Sequence, residues 1–213
     1  MRLVAGALPR WWGARNNALY LPAWLDVSAH LVASLTRQRV ADALVVLASD
    51  LADVTYLWLG GDHATVFVGP ASSMPRAEIH CGGGSSLILT RQVACTARPS
   101  LDARNGGSIF AEPDQLWASD VIIATDDMHR IEDAETGERL NPFGGHIRFG
   151  THVWLGRGAV VTGNSEIGPH SVLGMRGLIA SRSFPPNSVL VGAPARVVRE
   201  GTTWRHQDVP PGG

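Results

Sequence analysis

The chain has 213 residues, enough for one domain with a sizeable core, and its net charge of −1 argues against nucleic acid as the main partner. Only 17% of residues are charged, while 24 Gly and 13 Pro fit a fold of many tight turns and few exposed helices. Two cysteines, Cys81 and Cys95, are too few for a disulfide framework. No stretch reaches the roughly 20 apolar residues needed to span a bilayer, so a soluble, cytoplasmic protein without a membrane span is expected.

Residues 1–15 read as an N-terminal extension. Their short apolar run is broken by Pro9 and Arg10 and lacks a clear cleavage site, unlike a secretory signal. Residues 24–54 carry loosely periodic apolar positions (Leu31, Leu35, Val40) that a helix could use. The recurrence of Val and Ser and the strand-like segments that follow favour strands. Short apolar ladders then recur between turn residues: Val66-Phe67-Val68, Leu87-Ile88-Leu89, Ile109-Phe110 and Ile122-Ile123. Val66, Leu87 and Ile109 are 21 and 22 residues apart, the spacing of one coil per ladder with small insertions. Gly82-Gly83-Gly84 reads as a turn and not a phosphate loop, since no Lys-Ser/Thr follows it.

From Ile147 to Arg182 the chain repeats every six residues: IRFGTH, VWLGRG, AVVTGN, SEIGPH, SVLGMR and GLIASR. The third place is always apolar (Phe149, Leu155, Val161, Ile167, Leu173, Ile179) and the fourth always small. The first place of each following unit is small or medium-sized. An amphipathic helix would recur near 3.6 and an isolated strand at 2. A period of six fits a chain winding round a triangular prism, each unit one side with its bulky residue inward and small residues at the tight turns. Stacked coils bury a continuous core and pair as parallel strands. The fold class read here is all-β, a parallel β-helix over residues 16–200. A polar excursion at about 126–146 interrupts the period, and a loop leaving a regular solenoid is where a site can be built without disturbing the core. A short terminal element follows Val191, and the tail, 201–213, is expected to fray.

Four motifs carry a resemblance. They are Thr125-Asp126-Asp127-Met128-His129 (T-x-D-x-H), Thr136-Gly137-Glu138-Arg139-Leu140-Asn141 (T-G-E-R-x-N), Val153-Trp154-Leu155-Gly156 (V-W-[IL]-G), and Gly192-Ala193-Pro194-Ala195-Arg196-Val197-Val198-Arg199-Glu200 with Trp204. In this order the segment of about 120–205 resembles the hexapeptide-repeat acyltransferases, and within them bacterial O-acetyltransferases of capsular and other surface polysaccharides. The first hundred residues match only weakly. The resemblance implies a left-handed coil, a homotrimer with sites shared between chains, acetyl-CoA as co-substrate, no metal, and a glycan or sugar precursor as acceptor.

Moving an acetyl group from a thioester to a sugar hydroxyl needs a base, donors for the oxyanion and a channel that brings the two reactants together. A histidine suits the first task near neutral pH. Of the eight histidines only His129 stands in T-x-D-x-H, the place of the family's base. Asp126 or Asp127 either orients its imidazole or caps the local turn. Trp154 points outward from the prism. By the resemblance it lies beside the reacting groups as a donor to the oxyanion, by packing alone it anchors a subunit interface, and the two roles are compatible. The resemblance places backbone at Arg157, Met175, Ala180 and Ser181 along the pantetheine. It sets Arg196 and Arg199 at the phosphates, where guanidinium pairs well with phosphate oxygens; the plainer role for both is a solvated C-terminal element. Met175-Arg176 departs from the Ala-Gly usual in the family, and Ser181-Arg182-Ser183 is one residue longer.

No Ser or Cys is paired with the base by motif, so direct attack by the acceptor is expected, without an acyl-enzyme. Other functions fit the same coil. One is N-acetylation of a nucleotide-linked amino sugar. Another is a metalloenzyme of the γ-carbonic-anhydrase type, which needs three converging histidines, whereas His146 and His152 fall on successive sides. A non-catalytic scaffold is disfavoured by the intact T-x-D-x-H.

Overall fold

The structure, a computed structural model, describes residues 1–4, 6–51, 53–208 and 210. Its strands form three sheets of nine, six and six strands, which the chain visits in rotation. Neighbours are parallel except at two ends of the stack. Arg2–Leu3 pairs antiparallel with Ala18–Leu21, and Ala195–Arg199 turns back antiparallel on Val189–Gly192. The architecture is a left-handed parallel β-helix.

The period of six is visible as burial. Phe149, Leu155, Val161, Ile167, Leu173 and Ile179 are at most 1% exposed. Val153, Ala159, Ser165, Ser171 and Gly177 are buried as well, so each side points two residues inward, one small and one bulky. Each large aliphatic side chain removed from water contributes about 1.5–3 kcal/mol. The small fourth place lets coils stack closely at a corner. A Cβ on Gly156 would lie 2.6 Å from the backbone nitrogen of Met175. The upstream ladders hold the register their spacing predicts, with Val66 paired to Leu87 and Leu87 to Ile109.

Left-handed backbone recurs at the corners. Gln92, Asp114, His152, His170 and Asn187 each lie three residues beyond a first-sheet strand, with φ from +53° to +65°. Asn, Asp and His tolerate that region better than most residues. They therefore stack as a column along the corner between the first and second sheets.

Two segments differ from the sequence reading. Residues 24–54, read as strands, contain the helix Ala29–Leu35 as well as the strand Leu44–Leu47. Ser28 caps the helix by accepting from the Leu31 amide at 3.1 Å, and Leu31 and Leu35 are buried where it packs on the strand Tyr56–Leu59. The tail does not fray at its start. Asn187 and Thr202 exchange hydrogen bonds at 2.9 Å, and the Trp204 indole, 7% exposed, stacks on the His152 ring at 3.9 Å. No helix among the described residues is long and apolar enough to cross a membrane.

Candidate active site

The excursion leaves the coil after the third-sheet strand Ile122–Ala124 and returns at the first-sheet strand His146–Phe149. Buried Thr125 anchors its base: its hydroxyl accepts from the Arg104 amide at 2.8 Å and its carbonyl from the Gly145 amide at 3.0 Å. Asp126, also buried, ties the two ends of the loop together. It accepts from Asn105 Nδ2 at 2.8 Å, the Gly144 amide at 3.2 Å and the Met128 amide at 2.6 Å. Burial alone would raise its carboxyl. The Asn105 amide, the two backbone donors and the nearby Arg139 charge outweigh that and hold it below the usual carboxylate value.

Asn141, last residue of T-G-E-R-x-N, completes the cradle. Its Oδ1 accepts from the Ile131 amide at 2.9 Å, while its Nδ2 donates to the His129 carbonyl at 2.8 Å and to Asp127 Oδ2 at 3.1 Å. Arg139 braces the same loop segment by donating to the carbonyls of Asn141 and Pro142. Asp133 closes the tip by accepting from the amides of Glu135 and Thr136. His129 is thus held by its backbone, while its exposed imidazole makes no hydrogen bond or ion pair among the described residues. Neither aspartate bonds that ring. Asp126 and Asp127 shape the loop, the turn-capping role.

Trp154 sits on the second sheet, pointing outward and 39% exposed, in register with Leu116 and Val172. With Leu116, Trp204, Arg205 and His206 it lines a cavity of about 770 Å³. The Trp204 ring lies 6.1 Å from it. Within one chain His129 and Trp154 do not meet. His129 rises from the corner between the third and first sheets, which is opposite the second sheet in a three-sided coil.

The remaining site residues fall in three places. Arg157 and Met175 share a cavity of about 310 Å³ with Asp120, which Arg157 Nε approaches at 3.4 Å. Ala180 ends a third-sheet strand, and Ser181 follows it at the corner with φ +48°. Arg196 and Arg199 stand exposed on the return strand Ala195–Arg199. His146 and His152 do not converge: His146 bonds Ser108 Oγ, and His152 belongs to a cluster of its own.

That cluster escaped the sequence reading. Asp114 faces two histidines, His152 Nδ1 at 2.6 Å and His206 Nε2 at 2.8 Å. Burial would raise its carboxyl, but its close contacts with His206 and His152 keep it low. The available signal was positional, since Asp114 and His152 occupy equivalent corner places on adjacent coils.

No protein-family profile matches the chain. Galactoside O-acetyltransferase of Escherichia coli K12 is 43% identical over 54 residues, 25% of this chain and 26% of that protein. The chain thus aligns with about a quarter of that relative's length. Polysialic acid O-acetyltransferase of Neisseria meningitidis is 26% identical over 147 residues, 68% of this chain and 67% of that protein. Among solved structures, the polySia-specific acetyltransferase NeuO superposes with a TM-score of 0.73 at 22% identity, covering 81% of this chain and 78% of NeuO. The class to which fold and motifs are similar is thereby defined: these relatives and neighbours are hexapeptide-repeat acetyltransferases. Within that class, the similarity to polysialic acid O-acetyltransferases covers about two thirds of the chain by sequence and 81% by structure.

Proposed function

We propose that the protein is an acetyl-CoA-dependent O-acetyltransferase that modifies a hydroxyl of a surface polysaccharide or of its sugar precursor. The observation that carries this reading is the Asn141 cradle, which fixes His129 by its backbone and leaves its imidazole uncommitted. A general base needs a fixed position and a free nitrogen. The acceptor hydroxyl attacks the thioester carbonyl as the His129 imidazole takes its proton. The tetrahedral oxyanion accepts from the Trp154 indole N–H. Collapse expels the thiolate, which recovers the proton from the imidazolium. Transfer is direct: burial pushes the Cys81 and Cys95 thiols up to about 12, so neither supplies a thiolate to carry the acetyl group.

Backbone at Arg157, Met175, Ala180 and Ser181 lines the pantetheine, and exposed Arg196 and Arg199 meet the phosphates. Because His129 and Trp154 lie on opposite sides of one chain, the working site takes one residue from each of two neighbours in a homotrimer. The outward apolar column of Leu116, Trp154 and Val172 supports such a contact. The two free, buried thiols support a cytoplasmic setting. Incubating the protein with acetyl-CoA and glycan fragments should release free CoA thiol and leave an alkali-labile acetyl ester on the acceptor. Thiol release only with amino sugars, or with none of the glycans, overturns the reading.

A further inference from the structure

We propose that Asp114, His152 and His206 form a zinc site that clasps the C-terminal segment to the coil beside Trp154. The site is independent of the acetyl-transfer reading. Its three donor atoms come from two coils and the tail, and all lie within 4.8 Å of one another. Two imidazoles and one carboxylate are a donor set that suits Zn²⁺, with the fourth position open to water.

The hydrogen bonds of His152 point the same way. Its Nε2 lies 3.0 Å from the Trp204 carbonyl oxygen, and its Nδ1 lies 2.6 Å from a carboxylate oxygen of Asp114. Both neighbours are acceptors, whereas a neutral imidazole has one N–H. Donation from Nε2 to the carbonyl leaves a lone pair on Nδ1 aimed at a carboxylate. A positive charge resolves that conflict, and a metal ion on Nδ1 does so with the arrangement common to metal-bound histidines, in which the second ring nitrogen donates to a backbone carbonyl. Tetrahedral ligands at about 2.0–2.1 Å from zinc sit roughly 3.3 Å apart. Asp114 and the two rings, now at 2.6 and 2.8 Å, need to part by roughly 0.7 and 0.5 Å, which the part-exposed Asp114 and exposed His206 side chains permit.

The ligands are poised to shape the neighbouring cavity. His152 carries the stacked Trp204, whose Nε1 donates back to the His152 carbonyl at 2.8 Å, and His206 follows two residues later. Trp204 and His206 are both walls of the cavity that holds Trp154. The buried thiols, kept protonated, do not compete for the ion.

The test is to strip the purified protein with chelator, add one equivalent of zinc chloride per chain, remove free metal by gel filtration and measure zinc by mass spectrometry. Wild type should retain one zinc per chain and rise in Tm. His206→Ala and Asp114→Asn, both with unchanged circular dichroism, should retain none, while His170→Ala retains the full amount. Zinc should also slow tryptic cleavage after Arg205 in wild type alone. Zinc-free wild type would overturn the proposal, as would undiminished zinc in His206→Ala, whatever the activity.

Discussion

The side chain of Asn141 holds the backbone of His129, its Nδ2 donating to the His129 carbonyl at 2.8 Å while its Oδ1 accepts from the Ile131 amide at 2.9 Å. Two motifs separated in sequence thus act as one object: T-x-D-x-H supplies the imidazole and T-G-E-R-x-N supplies the clamp. Asn141→Ala removes both bonds and the one to Asp127. Because a shift of about 1 Å in a reacting group can cost on the order of 10²-fold, kcat should fall by that order with the KM for acetyl-CoA nearly unchanged. Unchanged kcat in the folded variant would show that the clamp does not position the base.

His129→Ala should lower kcat by about 10²–10⁴-fold, the usual contribution of a general base, with CoA affinity within a few-fold of wild type. Folding should survive, since the residue is exposed and outside the coil core. Turnover near wild type would move the base to another residue.

Much of this was legible in the sequence because the coil forces distant positions into register. A period of six can bury Phe149, Leu155 and Val161 together only on a three-sided coil, so the pattern predicts the core directly. The motifs predicted the loop at Thr125 and Asn141. The tail was not legible, because Trp204 and His206 meet partners 52 and 92 residues away through side-chain hydrogen bonds that follow no period. Nor was the helix Ala29–Leu35, whose short apolar pattern fits a strand nearly as well and is decided by the Ser28 cap and packing on the strand Tyr56–Leu59. The orientation of the aspartates likewise depended on loop hydrogen bonds that no pattern encodes.

Arg196→Ala should raise the KM for acetyl-CoA and leave kcat nearly intact. A contact with distant phosphates is the same in the ground and transition states, so its loss removes uniform binding. A collapse in kcat at constant KM would remove Arg196 from the cofactor groove.

Asp126 sets the acid response of the loop. Its folded carboxyl titrates below the ordinary value of 3.8, so its stabilising contribution is complete above that value and is lost as pH falls through the lowered one. An NMR titration should show the Asp126 carboxyl and the Met128 amide moving together below pH 3.8, and Asp126→Asn should abolish that step. Titration at or above the ordinary value would contradict the cradle geometry.

Leu155→Ala should destabilise the coil by about 2–5 kcal/mol, since the side chain is fully buried and coils above and below restrict collapse of the cavity. Chemical denaturation would measure it. A loss below about 0.5 kcal/mol, typical of surface positions, would place Leu155 outside the core.

The most direct test of the central claim, an acetyltransferase site shared between chains, mixes two disabled variants. Trp154→Ala, lacking the proposed oxyanion donor, should lose about 10²–10³ in kcat, and His129→Ala lacks the proposed base. If His129 of one chain faces Trp154 of the next, random reassembly of equal amounts restores one intact site in each mixed trimer, about a quarter of all sites in the mixture. The account predicts acetyl transfer near that fraction of wild-type turnover after the two are unfolded and refolded together. A mixture no more active than its components, or full wild-type activity in a chain that light scattering shows to be monomeric, would contradict it.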